Sequence, residues 1–96
     1  MQKQLHVLVE GRVQGVGFRY FVEMKANALD LTGWVRNLYS GEVETVAEGE
    51  EEALVQFLAY LNHGPSPANV SHVSAEWSDA TGSFPTFQIR SSWISE

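Results

Sequence analysis

The sequence contains no cysteine. That absence removes disulfides, thiolate-bound metals and a thiol nucleophile together, so the chemistry has to be found elsewhere. Cations are also scarce: six Lys and Arg stand against twelve Asp and Glu, a formal net charge of −6. A surface with that bias repels polyanions, and no nucleic-acid partner is expected. No apolar run approaches the length of a bilayer span. Near the start, Glu10 and Arg12 interrupt the apolar stretch before the core of a signal peptide forms. No membrane association is therefore expected, and the cytoplasm is the expected compartment. His6, His63 and His72 fall at no metal-ligand spacing and sit beside no serine and acid in a recognisable arrangement, so no metal site or triad is read from them.

What is present suits a single domain over residues 1–96. Hydrophobic residues make up 44% of the chain, with three Trp, three Tyr and five Phe, which is enough for one core and too little for a second. A chain of this size buries only about 60 to 65% of its unfolded surface, so a few well-filled positions must carry its stability.

The periodicities alternate between two types. Leu5, Val7 and Val9 recur with period two and stop at Gly11, which predicts a strand with one buried face. Phe18, Val22, Ala26 and Leu29 are spaced by four, four and three, which gathers them on one stripe of a helix. Segments 33–37 and 42–48 read as two strands of a hairpin around Leu38-Tyr39-Ser40-Gly41. In the second arm Glu42, Glu44 and Glu48 are expected on a wet face, opposite Val43, Thr45 and Ala47. Leu54, Phe57, Leu58 and Leu61 mark a second helix that ends at Gly64-Pro65. Glu50, Glu51 and Glu52 oppose the positive end of its dipole, which accounts for that acidic run without a ligand. Val73, Ala75 and Trp77, then Phe87 and Ile89, close the pattern as strands. The order is that of a ferredoxin-like α+β sandwich, βαββαβ, with an antiparallel sheet and both helices on one face. That architecture serves many functions, so function has to come from a site.

The candidate lies between the first strand and the first helix. Gly11-Arg12-Val13-Gln14-Gly15-Val16-Gly17-Phe18-Arg19 places three glycines in seven residues directly before a helix. Glycines allow positive φ and close approach, so successive N–H groups can converge on one anion beside the helix N-terminus, and Arg19 can add a planar two-pronged contact. From spacing alone, an anion cradle and an ordinary glycine turn both stand. The segment is neither a Walker loop, since no Gly-Lys-Ser/Thr follows, nor a dinucleotide fingerprint, since the third glycine is missing. Asn37, too, has an ordinary reading as the residue that opens a turn.

The run Val9-Glu10-Gly11-Arg12-Val13-Gln14-Gly15-Val16-Gly17-Phe18-Arg19 resembles the first signature of the acylphosphatase family. Gly33-Trp34-Val35-Arg36-Asn37, followed by Gly41, Val43 and Gly49, resembles the second. The likeness extends over about residues 5–90. It implies that Arg19 is the catalytic arginine and Asn37 the catalytic asparagine, with Gln14, Gly15, Val16, Gly17 and Phe18 joining Arg19 around the substrate phosphate. It implies a metal-free, cofactor-free monomer that hydrolyses small acyl phosphates to a carboxylate and inorganic phosphate, the latter also an inhibitor. Two positions depart from the family's usual pattern, Asp30 in place of a frequent glycine and the 91–96 extension, and both bear on stability. Strand alternation turns Arg36 away from Asn37, toward solvent. The competing readings are a non-catalytic phosphate- or acyl-phosphate-binding module and a domain of a larger carbamoyl-transferring maturation protein.

Overall fold

The computed structural model describes residues 1–91, so all but the first residue of the 91–96 extension lies outside the described part. The chain runs β1 (Gln2–Arg12), α1 (Phe18–Ala28), β2 (Thr32–Asn37), β3 (Val43–Glu50), α2 (Glu51–His63), β4 (Asn69–Asp79) and β5 (Phe87–Ile89). The two predicted helical stripes are real. Phe18, Val22 and Ala26 of α1 and Leu54, Phe57 and Leu61 of α2 are buried, and they form one cluster with Leu5, Val7, Val9, Val35, Val43 and Ala47 from the sheet. Phe57 meets Phe87 edge to face at 6.3 Å between ring centroids. Asp30, directly after α1, adopts φ 58, the left-handed conformation that favours glycine.

The five strands lie in the order β4-β1-β3-β2-β5. β1 pairs with β3 and β4, and β2 with β3, all antiparallel. The expectation of a purely antiparallel sheet is corrected at one edge, where β5 runs parallel to β2. The 80–86 connection carries the chain from the β4 edge to the β2 edge, and Gly33 N–H bonds to the carbonyl of Thr86 where it arrives.

That connection also overturns the expected wet face of β3. Glu48 is buried, and its carboxylate accepts from Gln4 Nε2 at 2.7 Å, from Thr81 N and Oγ1 at 2.8 Å each, and from Gly82 N at 3.0 Å. Glu44 lies between His6 Nε2 at 2.7 Å and Arg36 Nε at 2.8 Å. Arg36 is therefore an ion-paired side chain and not the solvated charge that alternation suggested. Its guanidinium and that of Arg90 both lie over the Trp34 ring, at 5.1 and 4.7 Å from the centroid. Glu50 closes β3 and binds the N-terminal ammonium at 2.7 Å, leaving Glu51 and Glu52 to face the dipole of α2.

Burial alone would raise the pKa of Glu48, but the bonds from Thr81, Gln4 and Gly82 outweigh it and hold the group below its usual 4.5. A carboxylate depressed in this way stabilises the fold above its unfolded pKa, and that stability is lost as pH falls through the folded value. Glu48→Gln turns an amide N–H toward a ring of donors, so the expected loss is about 1 to 3 kcal/mol near pH 7. Urea unfolding from pH 7 down to pH 3 checks this, and the gap between the two proteins should narrow below pH 4.5.

Candidate active site

Residues 13–17 turn the chain from β1 into α1, anchored by two buried side chains, Val13 at one end and Phe18 at the other. Between them, Gly15 and Gly17 have φ 74 and 78. A Cβ at either would meet nothing within 4 Å, so conformation and not crowding requires glycine here. Gly17 is the N-cap of α1 and supplies no side-chain oxygen to the first-turn donors.

The electrostatics of that turn are unusual. The first turn of α2 carries Glu51 and Glu52, whereas the first turn of α1 carries no acid and includes Arg19. A cation at the positive end of a helix is unfavourable unless an anion joins it, and both features then attract the same ligand.

A concavity of about 100 Å³ opens at this point, lined by Val13, Gly15, Gly17, Phe18, Arg19, Tyr20 and Asn37. Asn37 ends β2, and alternation places it on the side of the buried Val35, toward the helices. Its Oδ1 is buried without a hydrogen-bond partner. Buried acceptors are nearly always satisfied, so an orphan that reaches a cavity marks a place for a ligand or water. Arg19 Nη1 donates to the carbonyl of Arg90 at 3.0 Å, which uses one of the five guanidinium N–H groups and steadies the side chain.

Two of the expected loop residues stand differently. The Gln14 side chain turns to the β2–β3 hairpin, donating to the carbonyls of Leu38 at 2.7 Å and Glu42 at 2.9 Å, and Val16 packs against the core. Neither side chain lines the cavity. Val13 and Tyr20, which do, carried no signal in the sequence beyond their adjacency to the glycines and Arg19. A larger hollow of about 460 Å³ is lined by Glu10, Gly11, Ser40, Gly41, Glu42 and Ser71. With two carboxylates and no cation on its walls, it repels a phosphate.

The carboxylates with displaced pKa values, Glu44, Glu48 and Glu50, all lie outside the Arg19 cavity. Among the described residues, no three His, Cys, Asp or Glu side chains are grouped so that they can hold a metal ion. No helix among them is long and apolar enough to cross a membrane.

The acylphosphatase family model matches residues 5–89. An acylphosphatase of Moorella thermoacetica is 52% identical over 87 residues, covering 91% of this chain and 92% of its own. The crystal structure of acylphosphatase from Bacillus subtilis superimposes with a TM-score of 0.89 at 42% identity, covering 92% of this chain and 98% of that one. The HypF structure from T. kodakarensis matches at 34% identity and a TM-score of 0.79, covering 92% of this chain but only 12% of that larger protein.

Asn37→Ala tests whether this asparagine serves the fold. It removes an unpartnered buried oxygen, so the unfolding free energy should stay within about 1 kcal/mol of the native value, where a satisfied structural amide would cost about 1 to 3. Urea denaturation of the two proteins under matched conditions measures the difference.

Proposed function

The chain belongs to the acylphosphatase family and hydrolyses the carboxyl-phosphate bond of acyl phosphates, and we propose that Arg19 grips the phosphate while Asn37 aims the attacking water. The observation that carries this division of roles is the partnerless buried Oδ1 of Asn37, in the same concavity that Arg19 and the glycine turn line. The backbone N–H groups of 14–18 and the guanidinium fork supply donors for the non-bridging oxygens, with the N-terminal end of α1 adding its dipole. A water that donates to Oδ1 then points a lone pair at phosphorus.

In the reaction, the water oxygen bonds to phosphorus as the bridging P–O bond breaks, and its electron pair leaves on the carboxylate. The water proton passes to a phosphate oxygen or to solvent, giving inorganic phosphate. The conjugate acid of the leaving group has a pKa of about 4, so it departs unprotonated and needs no general acid. A loose transition state spreads charge over the non-bridging oxygens, and positioning and electrostatic stabilisation are what the protein must provide. The same reading includes a metal- and cofactor-free monomer in the cytoplasm, with inorganic phosphate as product and competitive inhibitor. The net charge of −6 opposes nucleic-acid binding.

Ultraviolet assay of benzoyl phosphate hydrolysis should show turnover that a chelator leaves unchanged. In that assay Arg19→Lys is expected to lose about 10²- to 10³-fold in rate with unchanged circular dichroism, because an ammonium keeps the charge and loses the fork. Near-native turnover in that variant would refute the assignment of Arg19.

Asn37→Ala should lose kcat while inorganic phosphate still binds, since the anion grip stays and the aim of the water is lost. Calorimetry decides: phosphate affinity falling as far as kcat would make Asn37 a binding residue. Because the proposed step uses no side chain as acid or base, kcat should also stay nearly level over about pH 5 to 8, apart from the substrate's own ionisation. A bell-shaped profile abolished by replacing His6, His63 or His72 would reveal a general base.

A further inference from the structure

We propose that Gln14 is a positioning residue, whose side-chain amide locks the backbone beside Asn37 to the phosphate cradle and so fixes where the water is aimed. The inference rests on the role given to Asn37 above. Nε2 of Gln14 donates to two carbonyls at once, Leu38 O at 2.7 Å and Glu42 O at 2.9 Å. Both partners can only accept, so the orientation of the amide is settled by the contacts themselves.

The two carbonyls are not arbitrary. Leu38 O already accepts from Gly41 N at 3.0 Å, and Glu42 O from Leu38 N at 2.8 Å. They are the bonds that close the hairpin immediately after Asn37, and Gln14 fills the second acceptor site of each. One NH₂ group thus straddles the mouth of the turn.

The two halves of the site come from distant parts of the chain. Arg19 and the glycines follow β1, whereas Asn37 ends β2, and β3 separates those strands in the sheet. Between the glycine turn and the Leu38–Glu42 turn, the Gln14 amide gives a direct bridge that is half-buried and spans 24 and 28 residues of sequence. In-line attack demands that the water oxygen be placed to within a fraction of an ångström of the phosphorus axis, and an error of about 1 Å is enough for a loss near 10²-fold. A hairpin end left to itself has that freedom. The Gln14 side chain therefore acts on the water through Asn37, while its backbone stays part of the cradle.

Gln14→Met keeps the length of the side chain and removes both donors. With benzoyl phosphate, kcat should fall about 10- to 100-fold, while the inhibition constant for inorganic phosphate stays unchanged. In an Asn37→Ala background the same substitution should cost nothing further, because there is no aimed water left to misplace. A residue that served only stability, or only the anion, would not give that pattern. Equal losses in both backgrounds, or phosphate affinity falling in step with kcat, would overturn the proposal while leaving Arg19 and Asn37 in their roles. If Asn37→Ala alone kept its kcat, the water-aiming role would fail and this proposal with it. Should Gln14→Met not fold, Gln14→Asn, whose amide ends one methylene short, reads the same cycle.

Discussion

Arg19 sits in the first turn of α1, where the helix dipole already presents positive charge and no acidic side chain offsets it. The rest of the site follows from that unfavourable placement. Gly17, left-handed and without a capping oxygen, leaves the first-turn amides without a side-chain acceptor, and Gly15 is left-handed as well. On the proposed reading, a tetrahedral dianion relieves the helix end, the guanidinium and the loop donors in a single event. In a protein of net charge −6 the attraction has to be local, and ordinary salt screens exposed charges beyond about 8 to 10 Å.

The placement of titrating groups fits the chemistry. A substrate whose leaving group departs as a stable carboxylate needs no general acid, and the cavity lining offers a guanidinium, a phenol and an amide but no carboxylate or imidazole. The ionisable network of the molecule, Glu44 with His6 and Arg36 and Glu48 with Thr81 and Gly82, is built on residues that alternate with the helix-facing ones. The carboxylates whose ionisation stabilises the fold therefore lie on the sheet, outside the cavity.

The sequence was legible where a pattern is local. Period-two and helical spacings located both helices and the strands within a few residues, and the family resemblance picked out the glycine turn that, with Arg19 and Asn37, lines the cavity. What stayed hidden depended on chain crossings. Nothing at Glu48 itself distinguishes it from a solvated glutamate, because its donors, Thr81 and Gly82, lie more than thirty residues away and arrive only when the 80–86 connection folds across. The parallel pairing of β5 has the same origin. Arg36 was misread because alternation predicts a face and not its occupants: Glu44 and Trp34 were waiting there. Gln14 lay inside the correct motif, yet its partners, two backbone carbonyls of a different turn, leave no trace in side-chain chemistry.

The two features that make the site useful, an uncompensated helix-end cation and a buried oxygen without a partner, both work against folding. In a domain of this size the margin is narrow, and compensation has to come from elsewhere. It comes from the buried cluster and from the satisfied carboxylates Glu44 and Glu48 of β3, which do not line the cavity. On the proposed reading a ligand at the Arg19 cavity relieves that strain, so substrate or phosphate should strengthen the fold by binding, growing with the logarithm of its concentration over its dissociation constant. The groups that set acid stability are different ones. Loss of Glu48 or Glu44 ionisation weakens the native state whether or not the cradle is filled, because neither group lines it. Their carboxyls are held below the usual range, so they stay ionised in mild acid, and the weakening sets in only as pH falls below 4.5.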